Sequence, residues 1–484
     1  MREQVMRAAV RSRAAAGVAL LLCAIGCRAP VDLRKTLADL NDPYSADAPT
    51  AGADHLTPLA TAVLEGSDAR PSGSESEAIE RIARELSRDA PRALLPEDRE
   101  YFLNAARTAW RYGDQYSRPT TGMIAAVPRY DYATVWDLGS SVAMLFCARE
   151  LGFIEEAGYK ARMRLALQTL QRLALFHGAA FNKAYRVSTG GMVDDRQRAS
   201  RTGFGWSATD LGRLLLWLRI VANRDPELAA DASSAVHRLD FTRLVKDGYL
   251  WGEDLGPGGV VRSYIEGQLG YEQYAAQGFA LWDARADKAL RLAEHAIPIQ
   301  VMGQTVAADS RRRDRLTSEP FVLMGLEFGW APDVEQLARA VLEAQAERAR
   351  QTGVLTIVSE DAIDRPPHYF YYYCVFANGR QFSIDVQDPT ATVDSPRWVS
   401  SKAAIGWHAL QPSAYTKRAI EGVEPARTPR GWASGVYERT ARSTNTLNVN
   451  TEAVIMTAAL YALRGKPMLS LSTAASVPRS PDHD

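Results

Sequence analysis

The chain is short of the residues that mark several large classes of protein. Four cysteines occur in 484 residues, and two of them, Cys23 and Cys27, stand close to the N-terminus. A disulfide-built scaffold is therefore excluded. The other two, Cys147 and Cys374, suit either a single bridge in an exported protein or two core thiols. Histidines number 7, and no close Cys/His spacing offers zinc ligands, so no metal and no cofactor is expected. Basic and acidic residues balance at 57 each. That leaves no excess of positive charge, so no nucleic-acid partner is expected. Apolar runs long enough to cross a bilayer are missing too. The stretch 14–25 is apolar but too short for a span.

That stretch follows Arg2, Arg7, Arg11 and Arg13, an order of charge and apolarity that reads as an export signal. It ends Ala24-Ile25-Gly26-Cys27, which resembles a bacterial lipobox with alanine where leucine usually begins it. Residues 1–27 are thus expected to be a lipoprotein-type signal peptide, with Cys27 the lipidated residue. Arg28 rather than aspartate follows the cysteine, a pattern that resembles outer-membrane sorting. The expected location is the bacterial cell envelope, on the periplasmic side, held to the outer membrane by a lipid anchor. Residues 28–95 are rich in Ala, Asp, Pro, Ser and Gly and nearly lack aromatics, so a flexible tether is expected. A Ser/Pro/Asp-rich tail is expected over 466–484.

What is present lies between, in 96–465. Six stretches share one design, an ionisable residue followed by an apolar helical run. The six heads are Asp137, Asp210, Glu272, Glu319, Lys402 and Glu452. Two are near-identical copies, Trp136-Asp137-Leu138-Gly139 and Thr209-Asp210-Leu211-Gly212. More polar helices are predicted between them, including 101–112, 155–176, 226–245, 284–295, 334–351 and 413–421. Extended segments at 248–264, 297–308 and 369–385 read as hairpins, the last around Asn378-Gly379. The expected fold is all-α: an (α/α)6 toroid with short β-hairpins in the connecting loops and the apolar helices inside. Their N-termini would then converge on one face.

Carboxylates gathered in that way suit acid–base chemistry on a polar substrate. A glycosidase needs one carboxylic acid to protonate the leaving oxygen and a second carboxylate as base or nucleophile. The candidate catalytic residues are Asp137, Asp210, Glu272, Glu319 and Asp194, the last in the long glycine-led loop before Trp206. A first-turn acid is also favoured simply as a helix cap, which is the plainer reading of each taken alone. Trp136, Trp206, Trp251, Tyr271, Tyr371 and Tyr373 are candidate sugar platforms, because pyranose C–H faces stack on aromatic rings. Arg315 and Glu452 complete the candidate binding set. Lys402 breaks the acidic series and is expected to pair with a neighbouring head.

Four segments carry a family resemblance: Thr134-Val135-Trp136-Asp137-Leu138-Gly139-Ser140, Gly205-Trp206-Ser207-Ala208-Thr209-Asp210-Leu211-Gly212, Gly270-Tyr271-Glu272-Gln273-Tyr274-Ala275-Ala276 and Leu316-Thr317-Ser318-Glu319-Pro320. With them, residues 101–463 resemble a bacterial family catalogued as domain of unknown function number 3131. That family is similar in layout to glucoamylase-like proteins with an (α/α)6 toroid, some of which hydrolyse β-1,2-glucans. The resemblance implies the fold and, more loosely, a carbohydrate ligand. It carries over no catalytic residue. The function expected is a cell-envelope glycoside hydrolase acting on a neutral glucan, with β-1,2-linked chains in view. Two alternatives stand beside it: a non-catalytic polysaccharide-binding or scaffolding lipoprotein, and a polysaccharide lyase using Tyr271, His368 and Arg315. Acidic heads disfavour the acidic substrate that a lyase requires.

Overall fold

The computed structural model describes residues 95–470, apart from 129, 312–314, 377–379 and 386–396. The expected signal peptide, Cys27, the tether up to residue 94, the tail beyond 470 and the Asn378-Gly379 turn lie outside the described residues. Within them the fold is mostly helical. The helices in chain order are α1 Pro96–Tyr116, α2 Val135–Glu150, α3 Glu156–Arg172, α4 Ala208–Arg224, α5 Pro226–Val236, α6 Tyr271–Ala280, α7 Glu319–Glu327, α8 Pro332–Thr352, α9 Ser401–Leu410, α10 Ala414–Gly422 and α11 Val449–Arg464, with a single turn at Phe241–Leu244.

Six of these, α2, α4, α6, α7, α9 and α11, are apolar nearly all round and almost wholly buried. A helix of that kind must be surrounded by others. Their contacts run in a cycle: α2 packs on α4, α4 on α6, α6 on α7, α7 on α9, α9 on α11, and α11 returns to α2. The more polar helices bury one stripe each against the outside of this ring. α1 lies on α11 and α2, α3 on α2 and α5, α5 on α4, α8 on α7, and α10 on α9.

The repeated Asp-Leu-Gly element has a packing cause. A Cβ on Gly212 would lie 2.5 Å from Ala275 Cα of α6, and one on Gly139 would lie 3.1 Å from Leu214 N of α4. In both copies the glycine is where an inner helix meets the next one round the ring. The contact is mutual at the α4–α6 crossing, since a Cβ on Gly278 would meet Gly212 O at 2.0 Å.

Two expectations are corrected. Residues 284–295, expected as a helix, form turns that end in a single 3-10 turn, Leu292–Glu294. The amides of Lys288 and Ala289 donate instead to Gly248 O, at 2.9 and 3.0 Å. That tertiary contact takes donors a helix would use and overrides the local propensity. Among the described residues these turns, rather than an outer helix, lie against α6, where Gln273 Nε2 donates to the Ala289 carbonyl at 3.2 Å. The strands are also more than short hairpins. They are β1 Gly205–Trp206, β2 Val245–Lys246, β3 Tyr249–Leu255, β4 Val261–Ile265, β5 Ala296–Val301, β6 Gln304–Asp309, β7 Arg315–Leu316, β8 Glu360–Ala362, β9 Tyr369–Phe376 and β10 Arg380–Asp385, besides further short pairs. β3 pairs antiparallel with β1, β2 and β4, and β9 with β7, β8 and β10, giving two four-stranded sheets in the connections. Cys147 and Cys374 are both buried and free.

Candidate functional site

Side chains of a helix lean toward its N-terminus, so first-turn residues project beyond the end of the helix. Here the first turns of all six inner helices line one cavity of about 130 Å³. Trp136 and Asp137 come from α2, Asp210 from α4, Tyr271 from α6, Glu319 from α7, Lys402 from α9 and Asn450 from α11. The connections add Tyr130, Tyr132, Glu360, Asp361, His368 and Tyr369.

Lys402 organises one side. Its ammonium is 2.5 Å from Glu319 Oε2 and 3.2 Å from Asp361 Oδ1, and it donates to the Glu360 carbonyl at 2.7 Å. Burial opposes its charge, but Asp361 and Glu319 outweigh burial and hold the ammonium form. Glu319 also accepts from Asn450 Nδ2 at 2.7 Å, and Asn450 Oδ1 accepts from Trp136 Nε1 at 3.1 Å. Asp361 accepts from Ser400 Oγ at 3.0 Å and Thr451 Oγ1 at 3.2 Å, and burial still lifts its pKa to about 6.

Glu360 is different. Lys402 reaches its backbone carbonyl rather than its carboxyl. Burial, and then the charge of Glu319, push the Glu360 carboxyl up to about 8, against the pull of the Tyr271 phenol and of Lys402. Two carboxylates beside the ammonium and a third that keeps its proton is the outcome expected when like charges crowd one cation. His368, 3.4 Å through Nδ1 from the Ile363 carbonyl, is pushed below its ordinary value by burial.

On the other side of the ring, Asp137 accepts from Thr134 N at 2.9 Å and Thr134 Oγ1 at 2.8 Å, and its amide donates back to that hydroxyl. This is a capping box, so Asp137 both caps α2 and lines the cavity. Burial raises its pKa, with the Thr134 bonds opposing. The first turn of α4 is served otherwise. Glu266 accepts from Ala208 N at 2.5 Å and Ser207 Oγ at 2.8 Å, and Ser207 Oγ accepts from Asp210 N at 3.0 Å. Ser207 and Glu266 thus serve this helix end. One turn deeper, fully buried Arg213 donates to Ser140 Oγ, Tyr274 OH and Glu327 Oε1 at 2.9–3.1 Å and lies 5.0 Å from the Trp136 ring. This network backs Trp136, which lines the cavity.

Other candidates lie outside the lining. Glu272 is paired with Arg311 at 2.7 Å, itself held by Asp309. Glu452 is fully buried, accepts from Trp432 N at 2.7 Å, and is pushed well above the carboxylate range by burial. The helix turns about 100° per residue. Tyr271 and Asn450, one and two positions earlier, hold the cavity-facing places instead. Asp194 closes a surface turn, accepting from the amides of Arg196 and Arg198 and pairing with the Arg198 guanidinium at 2.7 Å. Trp206 is fully buried, with its indole donating to Trp251 O, and Trp251 donates to Lys246 O. Tyr371 and Tyr373 stack on each other in a buried cluster, and Arg315 pairs with Asp385 at 3.5 Å. Sequence reasoning missed Glu360, Asp361, Tyr130 and Tyr132. A signal was available for the first two: acidic residues are depleted in strands, and Glu360-Asp361 opens one that pairs with the tyrosine strand β9.

Solved structures with this fold include an endo-β-1,2-glucanase from Chitinophaga pinensis, at 13% identity and a TM-score of 0.55, covering 80% of this chain and 96% of that one. A Bacteroides caccae protein provisionally assigned as a glucoamylase matches at 14% identity and 0.56, covering 76% and 94%. An endo-β-1,2-glucanase from Talaromyces funiculosus, bound to sophorose, matches at 10% and 0.54, covering 76% and 85%. At these identities the likeness is one of fold. A comparison with curated protein sequences found no match. The model of the family described as "Protein of unknown function (DUF3131)" matches residues 104–465, and the chain belongs to that family.

Proposed function

We propose that this protein is a glycoside hydrolase on an (α/α)6-type toroid, acting on a neutral glucan in the bacterial cell envelope, with β-1,2-linked chains as the first substrate. The observation that carries this reading is Glu360. A carboxyl with its pKa near 8 is still protonated at neutral pH and can donate to a glycosidic oxygen. The cavity also holds carboxylates that can receive a proton. Asp137 and Asp210, on α2 and α4, stand across the ring from α7 and α9 and activate the attacking water. Glu319, fixed by Lys402 and Asn450, keeps a negative charge near the oxocarbenium-like centre that develops. Trp136, Tyr271 and Tyr369 supply ring faces for the sugar. The neutral character of the substrate follows from five carboxyl side chains against one lysine in the lining, since a uronate would be repelled. The endo-β-1,2-glucanases among the fold neighbours support β-1,2-glucan as the place to begin, and the expected leader ending at Cys27 supports the envelope location.

The test is reducing-end release from β-1,2-, β-1,3-, β-1,4- and α-1,4-glucans. Glu360→Gln keeps the shape of the protonated acid and removes the proton donor. It is expected to lower turnover by roughly a hundredfold or more while the protein stays folded. Unchanged turnover would reject Glu360 as the acid. A wild-type protein that binds a glucan and never cleaves it would favour the binding-protein reading.

A further inference from the structure

Between α1 and α2 the chain passes Tyr130 and Tyr132, which line the cavity. Their rings are in contact, with centroids 5.5 Å apart at 48°. Tyr132 is 4% exposed. The apolar neighbours of the pair are Ala126, Ala184, Val193 and Phe204. Both phenol oxygens are shielded from solvent, and neither has a hydrogen-bond partner among the described residues. A buried hydroxyl left in that condition costs free energy, and such groups in folded proteins normally have a partner. Here the open direction is the cavity, where the carboxylates of Asp137 and Asp210 act on the Tyr132 phenol.

We propose that Tyr130 and Tyr132, with Asp137 and Asp210 beside them, form a second sugar-binding subsite that recognises the hydroxyl groups of a neutral sugar unit. It rests on the carbohydrate reading above and deepens it, because the subsite stands across the ring from Glu319 and Lys402. The donor and acceptor inventory fits a sugar hydroxyl. Each phenol offers an O–H and each carboxylate offers lone pairs, and a sugar hydroxyl both donates and accepts. An acceptor-only anion would meet the carboxylates and be rejected. Burial raises both phenol pKa values far above neutrality, so both keep their protons and act as donors at every physiological pH.

Tyr132→Phe and the double variant Tyr130→Phe/Tyr132→Phe test this, because they keep the rings and delete only the hydroxyls. The probe is sophorotriose, titrated by calorimetry into the full chain. Tyr132→Phe is expected to bind sophorotriose about three- to tenfold more weakly, the range of one ordinary hydrogen bond, and the double variant about ten- to a hundredfold. In a turnover assay the loss should fall on KM, with kcat little changed. Melting temperature of the free protein should stay level or rise, since a buried hydroxyl without a partner has been removed. Affinity equal to wild type would overturn the subsite, as would a melting temperature lowered by several degrees, which would mean that the hydroxyls serve the fold. If wild type binds neither sophorotriose nor the β-1,3- and β-1,4-linked trisaccharides, the carbohydrate reading itself has failed and the subsite falls with it. If wild type binds and the tyrosine variants match it, only the subsite has failed.

Discussion

Glu319 and Glu360 are both buried and line one cavity, yet their partners differ. Glu319 has an ammonium and an amide on its oxygens. Glu360 has burial and a neighbouring negative charge acting on it, and its pKa rises to about 8. That difference has a consequence for stability. An unfolded glutamate ionises at about 4.3, so between there and about pH 8 the native state holds a proton that the unfolded state has released. Raising the pH through this window must therefore destabilise the fold. Asp361, at about 6, and Glu266, at about 7, act in the same direction. Urea unfolding at about pH 5 and about pH 8 should show wild type losing stability with pH, and Glu360→Gln losing less. An equal slope in the two proteins would contradict the raised pKa. Activity should fall as pH rises through about 8, where the acid loses its proton. Asp137→Asn and Asp210→Asn separate capping from chemistry. Asp137→Asn should cost on the order of 1 kcal/mol of stability, the worth of a cap, and Asp210→Asn less, because Ser207 and Glu266 already serve that helix end. Both should lose about a hundredfold or more in turnover. Full activity in either would remove that residue from the mechanism.

Among the elements, the glycines of the Asp-Leu-Gly repeat govern how closely the inner helices approach. Gly212→Ala would force α4 and α6 apart at a backbone-to-backbone contact, and a loss of roughly 1–3 kcal/mol is expected from such overpacking. Thermal melting of the variant measures it, and an unchanged midpoint would show that the crossing can relax. This also explains how much of the molecule was legible beforehand. The inner helices could be read because each is apolar over its length and carries polar first-turn residues. A pattern buried on all sides leaves nothing else for the chain to do. Phase within the first turn was less legible. At α6 and α11 the cavity-facing residues are Tyr271 and Asn450 rather than Glu272 and Glu452, and one helical step depends on loop geometry that composition does not encode. The segment 284–295 failed as a helix for a related reason: its amides go to Gly248, distant in sequence. Glu360 and Asp361 were hidden because they stand in a connection, where periodicity is silent, and partners distant in sequence, among them Lys402, Ser400 and Thr451, hold them at the cavity.

At the scale of the whole molecule the ring is closed by its last helix. α11 packs on α9 and α2 and is covered by α1, the first described helix. The Arg99 guanidinium donates to the Leu463 carbonyl at 3.2 Å, so the two ends of the described domain lie side by side. The proposed anchor precedes this point in sequence. Cys27→Ser should move the protein from the membrane fraction to the soluble fraction of cells while glucan release by the purified protein is unchanged. Retention in the membrane fraction would reject lipidation at Cys27. The adjacency of the ends means that position along the chain and position round the ring are independent. The order in which the helices are synthesised has a start, but the assembled circle has none. A circularly permuted gene, with a short linker joining the ends near Leu95 and Gly465 and new termini opened in the exposed turn at Gly303, would encode the same cavity from a different beginning.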